Sequence, residues 1–327
     1  MTPDPDPNRL KSAHARYAAH AAKTCGYRFR SLDGADGYLF EVSDGAHRAL
    51  FAAGQGSPYA LNDANAASLA RDKSFCAEAL RAAALPALPG RLFFATKRWS
   101  EMRSPGREPE DARAFAETAE YPIFCKPISA SNGLHAEVID DAAAFDDYMR
   151  RVAREHFAFL AQPYVRGDEH RVFVLNGRAL FSYRKQQPVV VGDGKSSVRE
   201  LRQRSGVQGR RTRARTESGA PVALDAIPLP GVRIVLEGPA NRSAGGGSAD
   251  LIDGAPAPLG DLAVNAAEAL GLRVAGVDIF DVSPARDLSE LIVIEVNSNP
   301  MIATLEDHHR WDLIAEIWRA NFAAALR

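Results

Sequence analysis

Asp278, Glu295 and Asn297 have the residue types and spacing most suited to chemistry: two carboxylates and a carboxamide set into neighbouring apolar runs. In Leu291-Ile292-Val293-Ile294-Glu295-Val296-Asn297-Ser298-Asn299-Pro300, strand alternation sends Glu295 and Asn297 to one face and Ile294 and Val296 to the core. Val274-Ala275-Gly276-Val277-Asp278-Ile279-Phe280 reads as a second strand exposing Asp278, and residues 282–288 turn the chain back between the two. The expected hairpin carries three hard oxygen ligands, which suit Mg²⁺ (or Mn²⁺ in its place) with water and phosphate completing the octahedron. Taken alone, Glu-x-Asn at a strand end equally describes a polar edge meeting solvent, so the rest of the chain must decide.

Other segments supply cations and small residues. Lys126 ends an apolar strand before Pro127 and the loop Ser129-Ala130-Ser131-Asn132-Gly133, whose backbone amides could approach a phosphate. The plainer alternative is a lysine snorkelling before an ordinary turn. Lys73 stands in the first turn of an expected helix, where the dipole does not favour a cation, so either a bound anion or solvent must satisfy it. The stretch Gln162-Pro163-Tyr164-Val165 leaves one strand, turns at Gly167 and enters another; its backbone could read an adenine edge while Glu169 meets ribose hydroxyls. Arg184-Lys185 and the run Asn241-Arg242-Ser243-Ala244-Gly245-Gly246-Gly247-Ser248 pair cations with a glycine nest, as an anionic intermediate would need, although a glycine triplet is more often a loop. Arg199, Arg202, Arg204, Arg210, Arg211, Arg213 and Arg215 lack interleaved aromatics and read as a mobile, solvated segment rather than a nucleic-acid surface. His308-His309 has no third ligand at metal spacing and reads as a surface pair.

The elements that must position these residues alternate. Prolines at 3, 5 and 7 predict a disordered tail over 1–8. A helix over 12–25 ended by Gly26, and a hairpin of 38–42 with 48–51, predict a small N-terminal α/β unit over 9–70. A helix over 65–84 stops at Leu85-Pro86-Ala87-Leu88-Pro89-Gly90. Strands at 123–127 and 157–162 flank a helix over 141–156, in a subdomain of about 90–165. Asn176-Gly177 predicts a hairpin of 171–175 with 179–183. A helix over 310–326 carries Trp311, Ile314, Trp318 and Phe322 near helical spacing; it could pack on its own domain or form a homodimer seam.

A chain of 327 residues can bury a large core, and 46% hydrophobic with 25% charged residues is a globular composition. A net charge of -1 gives no global pull toward nucleic acid or anionic membrane. Three scattered cysteines indicate neither a disulfide framework nor a zinc site, so a reducing cytoplasm is expected. The acidic, proline-rich start and the lack of an apolar run of ~20 residues predict neither export nor a membrane anchor.

In order and spacing these blocks resemble the ATP-grasp superfamily of carboxylate-amine ligases, and most of all the glutathione-synthetase module of the bifunctional bacterial enzyme and the ATP-grasp part of cyanophycin synthetase. The resemblance rests on Lys126-Pro127-Ile128-Ser129-Ala130-Ser131-Asn132-Gly133-Leu134, Gly167-Asp168-Glu169-His170-Arg171, Val190-Val191-Gly192-Asp193-Gly194-Lys195-Ser196, 241–247 with Asp250, Gly276-Val277-Asp278, and Glu295-Val296-Asn297-Ser298-Asn299-Pro300. It covers about residues 70–310 and implies an α+β fold: two α+β subdomains clasping ATP, with an ATP-grasp domain over 71–327 whose lid is about 90–165. It implies Lys73, Lys126, Ser131 and Gly133 on the ATP phosphates, Gln162, Pro163, Tyr164 and Val165 at adenine, and Glu169 at the ribose. Mg²⁺ would lie on Asp278, Glu295 and Asn297. Arg171, with Arg184 or Lys185, would face the reacting carboxylate, and Asn241, Ser243, Gly245, Gly246 and Asn299 the substrate.

The implied reaction joins a small carboxylic acid (an amino acid or peptide) to an amine through an acyl phosphate, releasing ADP and phosphate. The sequence departs from the family at Gln162, a carboxylate in relatives; at His135, where a second glycine is usual; and at Met301, where a small residue follows Asn-Pro. These departures motivate a rival, a non-catalytic ATP-binding regulatory protein. The arginine segment motivates another, a ligase modifying proteins or peptides. A chain of this length does not hold the second module of the bifunctional relatives, so its acid is expected from another enzyme.

Overall fold

The computed structural model describes residues 6–54, 56–130, 133–207, 211–242 and 245–326. The chain opens with a 3₁₀ turn, Pro7–Arg9, where a disordered tail through residue 8 was expected; the Asp6 carboxylate accepts from the Asn8 amide and holds it. Helix α1 (Ala13–Cys25) is capped by the Ser12 hydroxyl and stopped by Gly26 in the left-handed conformation. Strands β1 (Arg28–Ser31), β2 (Leu39–Ser43) and β3 (Arg48–Ala52) make an antiparallel meander. The helix expected over 65–84 is two, α2 (Ala64–Arg71) and α3 (Lys73–Ala82). Asp72 breaks it: its backbone is extended and its carboxylate accepts from the Ser74 and Phe75 amides, so it caps a new helix beginning at Lys73.

Next come β4 (Arg91–Phe94), α4 (Pro109–Thr118), β5 (Ile123–Pro127), β6 (Glu137–Ile139), α5 (Ala142–Val152) and β7 (Ala158–Pro163). The rest of the chain is β8 (Asp168–Leu175), β9 (Arg178–Gln186), β10 (Val189–Val191), α6 (Val198–Ser205), β11 (Ala214–Thr216), β12 (Pro221–Val222), β13 (Arg233–Leu236), β14 (Gly247–Asp253), α7 (Ala257–Ala269), β15 (Val274–Asp281), β16 (Leu291–Asn297), α8 (Ala303–Asp307) and α9 (Trp311–Ala325). Among the described residues these form four sheets, ordered β1-β2-β3, β4-β7-β5-β6, β10-β13-β11-β12 and β14-β9-β8-β15-β16. The α+β expectation holds: sheet pairs are antiparallel, with helices packed on their faces.

The five-stranded sheet is the platform. One face, with Val172, Val174, Ala275, Val277 and Ile279, packs under α2, α3 and α7. On the other, Phe173 and Phe181 share a core with α1, β2, β3 and α9. Ile314, Trp318 and Phe322 are fully buried there, so this face of α9 packs on its own chain. Burying these aromatic side chains stabilises each by roughly 1.5–3 kcal/mol. The 91–163 sheet packs α4 and α5 on one face through Phe93, Phe145 and Phe159.

The sheet β10-β13-β11-β12 corrects the reading of the arginine run as solvated for Arg211, Arg213 and Arg215, while Arg199 and Arg204 are exposed as expected. Arg211 is buried and donates to the carbonyls of Leu236 and Pro239 at 3.0 and 2.6 Å. Arg213 reaches Asp140 at 2.6 Å, and Arg215 lies 3.6 Å from Glu237. These arginines close backbone acceptors and carboxylates, which a buried segment must satisfy. Arg210 lies outside the described residues.

Candidate functional site

The hairpin read from the sequence forms, with Asp278 directly across from Glu295 and Gly276 across from Asn297. Between Asp278 and Ile279 the register shifts, because Ile279 pairs with Val293 and leaves Ile294 as an extra residue. This bulge corrects the placement of Ile294, which is half-buried at a cleft wall while Val293 and Val296 fill the core. Its carbonyl, turned out of the ladder, accepts from Lys126 Nζ at 3.1 Å.

Strand pairing brings the other candidates to the same face. Asp278 lies across from Arg171 on β8, and His170 across from Arg184 on β9, which sets Lys185 beside Glu169. Arg171 grips Asp278 with two bonds, Nε to Oδ1 and Nη2 to Oδ2, the latter 2.7 Å. Lys185 Nζ sits among Glu169 Oε1 at 2.6 Å, Asp278 Oδ2 at 3.0 Å and Asn241 Oδ1 at 3.3 Å. Gly276 makes the room: a Cβ there would lie 2.7 Å from Pro300 Cβ and 3.1 Å from Arg171 Nη1. Lys73, at the start of α3, places Nζ 3.3 Å from Glu295 and donates to the Ala130 carbonyl at 3.0 Å.

Four cations, Lys73, Lys126, Lys185 and Arg171, thus meet three carboxylates, Glu169, Asp278 and Glu295, in a largely buried cluster. Burial lowers the Lys126 pKa. Burial alone would raise Asp278, but Arg171 and Lys185 outweigh it and hold the carboxyl below its usual range. Glu295 is likewise lowered, with Lys73 and Lys126 overcoming burial. At Glu169 burial wins over Lys185 and the pKa is raised. Lys185 is raised because Asp278 and Glu169 overcome its own burial. Four cations against three carboxylates leave one positive charge in surplus, which suits a bound anion.

Gln162 borders the same cleft, with Lys73, Lys126, Leu88, Leu160, Ile294 and Glu295. Its Nε2 donates to the Leu88 carbonyl at 3.3 Å, which fastens the 85–90 linker, while Oε1 is buried without a hydrogen-bond partner. The linker also bridges Ala87 to Val293 in parallel, a pairing that the prolines in the sequence concealed. Pro163 and Val165 flank Tyr164, whose hydroxyl meets Glu237 at 3.3 Å. Gly133, at φ +72°, lies where a Cβ would be 3.2 Å from Pro239 and 3.4 Å from Asn241 Nδ2, so the loop after β5 abuts the 239–241 turn. Gly246 has no space for a side chain, since a Cβ would meet the Ala240 carbonyl at 2.1 Å; Gly245 takes φ +86° beside Val207. Both glycines shape that turn.

Other candidates stand apart. Alternation on β9 turns Arg184 away from Lys185, to Asp250 at 3.1 Å and Asp168 at 4.0 Å, so Arg184 does not join the cluster. Asn297 donates to the Gly276 carbonyl at 3.4 Å, on the Glu295 face. Asn299 donates instead to the Gly56 carbonyl, in a stretch tied to the N-terminal unit by Tyr59 Oη on the Pro300 carbonyl. Ser131 and Ser243 lie outside the described residues. Gly276 and Ile294 shape the cluster in ways that residue types alone did not reveal; a glycine beside an acidic strand residue was the available signal for the first.

Residues 246–320 match the RimK-like ATP-grasp domain. The chain is 28% identical over 213 residues to the glutathione biosynthesis bifunctional protein GshAB of Streptococcus mutans, covering 58% of this chain and 28% of that one. It is 27% identical over 201 residues to cyanophycin synthetase of Nostoc sp., covering 55% and 22%. A bifunctional glutathione synthetase from Pasteurella multocida aligns with TM-score 0.49 and 21% identity, over 94% of this chain and 45% of that one. The chain spans about a quarter of the length of these curated relatives. Among the described residues, no helix is long and apolar enough to cross a membrane.

Proposed function

We propose, for a chain that carries an ATP-grasp domain, that it is an ATP- and Mg²⁺-dependent ligase joining a small carboxylic acid, an amino acid or peptide, to an amine with release of ADP and phosphate. The observation that carries this reading is the convergence of Lys73, Lys126, Lys185 and Arg171 on Glu169, Asp278 and Glu295 across a sheet edge and a cleft. The residues present fit the nucleotide and ion. Gln162 Oε1 is a buried acceptor still lacking a donor at the cleft wall, which suits an adenine amino group. Asp278 and Glu295, paired in register with Asn297 two residues on, are a hard oxygen set for Mg²⁺, with Mn²⁺ as its substitute. When bound, ATP supplies the phosphoryl group that turns the carboxylate into an acyl phosphate, which the amine then attacks to give the amide.

Each residue has a task in that scheme. Lys73 and Lys126 neutralise phosphate charge. Glu169 accepts from ribose hydroxyls, or keeps Lys185 oriented when no sugar is present. Lys185 and Arg171, which now hold Asp278, would share it with a bound ion and lend their charge to the reacting carboxylate. Gly133, packed against Pro239 and Asn241, would help to keep water from the activated acid. Docking of an acidic protein on the arginine run is not favoured, because Arg211, Arg213 and Arg215 already hold internal partners.

Calorimetric titration of Mg²⁺-ATP into wild-type and Glu295→Ala protein, followed by a phosphate-release screen over amino acids, dipeptides and amines, tests the proposal. Metal-dependent binding at least ~10-fold weaker in the variant, with release triggered by one acid and amine pair, is expected. Binding without release from any pair would leave the regulatory reading standing, and no binding would refute both.

A further inference from the structure

We propose that His135, Glu155 and His156 form a site for one transition-metal ion of the Zn²⁺ type, apart from the Asp278–Glu295 face. The three residues are brought together by topology: His135 follows the loop after β5, and Glu155-His156 lie in the turn between α5 and β7. One ligand atom from each lies within 4.8 Å of the others. His135 Nε2 is 3.5 Å from Glu155 Oε2, and the imidazole rings meet edge to face at 5.8 Å. Tetrahedral zinc with bonds of 2.0–2.1 Å sets its ligand atoms about 3.3–3.4 Å apart, so the His135–Glu155 edge is nearly formed. Glu155 is 56% exposed and free to adjust toward the third ligand.

Two further observations point to a ligand. His135 Nε2 and His156 Nε2 are both shielded from solvent and lack a hydrogen-bond partner. A buried nitrogen left this way is costly, and one metal ion would satisfy both. His135 also holds a left-handed backbone, φ +52°, uncommon for a residue with a side chain. Relief of that strain by glycine would remove the imidazole. Two imidazoles and one carboxylate exclude Mg²⁺, which prefers all-oxygen sites, and leave a fourth position open to water.

The inference does not rest on the ligase reading, and its test is separate. Metal-free protein is titrated with Zn²⁺ and with Co²⁺ under excess Mg²⁺, without nucleotide, reading heat and the visible Co²⁺ spectrum. One equivalent is expected in wild type and in Glu295→Ala, with affinity at least ~10-fold weaker in His156→Ala and lost in the His135→Ala/His156→Ala pair. Unfolding curves establish that the variants are folded, and His156→Cys, which restores a ligand, is expected to recover binding with added thiolate-to-cobalt absorption. Unchanged affinity in the double variant, displacement by Mg²⁺, or loss in Glu295→Ala would overturn the proposal.

Discussion

Lys185→Met removes the cation at the centre of the cluster while keeping most of its volume, and the structure sets the size of the effect. Asp278 retains Arg171, so it is not left unpaired. Glu169 is, because Lys185 at 2.6 Å is its closest charge partner. Its escape is to take a proton. That costs about 1.36 kcal/mol for each pH unit above the ordinary glutamate value of 4.5. The Glu169 contribution is therefore capped near 4 kcal/mol at pH 7.5 and about 1.4 kcal/mol at pH 5.5. A buried pair broken on one side costs about 3–5 kcal/mol, and Glu169 with its raised pKa already carries part of the cap in the wild type, so the loss at pH 7.5 should fall at about 1–4 kcal/mol. The sign is fixed by direction: Glu169 has a raised folded pKa, which removal of Lys185 raises further, so its protonated form stabilises below 4.5 and the deficit grows as pH rises. Urea unfolding followed by tryptophan fluorescence at both pH values, relative to wild type, measures it. A deficit under 1 kcal/mol at pH 7.5, or an equal deficit at both pH values, would refute the reasoning.

Other predictions follow from single sites. His14 is buried among Tyr17, Tyr59 and Trp318, and burial lowers its pKa to about 4; stability is full above 6.5 and falls by about 3 kcal/mol as pH drops through 4, and His14→Phe should flatten that limb in pH-dependent unfolding. Gly276→Ala places a methyl against Pro300 and Arg171, so it should cost about 1–3 kcal/mol and weaken Mg²⁺-ATP binding in the same calorimetric assay; unaltered affinity would mean that Arg171 does not need its observed pose. Arg211→Ala strips a donor from the buried Leu236 and Pro239 carbonyls and should lower stability by about 1–3 kcal/mol by urea titration, whereas a solvated arginine would cost nothing measurable.

The hairpin of Asp278 and Glu295 was legible because apolar residues on either side fix the phase of each strand, and Asn176-Gly177 gave the β8–β9 turn directly. Strand alternation then determined which of Arg184 and Lys185 turns inward, once β8 supplied the register. What stayed hidden depends on partners distant in sequence. Asp72 reads as an ordinary helical polar residue until its carboxylate is seen capping α3. The sheet built on β10, β11, β12 and β13 has strands of two to four residues, too short for periodicity to register, and the burial of Arg211 is explained only by carbonyls 25 and 28 residues away. Ile294 was misplaced because a bulge interrupts the period of two without a glycine or proline to announce it.

That bulge also sets a limit on how this strand can change length. Upstream of Ile294 the strand points Val293 into the core; downstream, the phase is inverted, and Glu295 faces the cations while Val296 is buried. Excising Ile294 alone would regularise the ladder and leave each face as it is, because Val293 would still pair with Ile279 and Glu295 with Asp278; losing Val296 instead would turn Asn297 toward the apolar layer under α2, α3 and α7. What the excision would remove is the outward carbonyl of Ile294, the acceptor that Lys126 now uses. A related chain that uses this face can therefore lack the extra residue, provided that its lysine finds another acceptor.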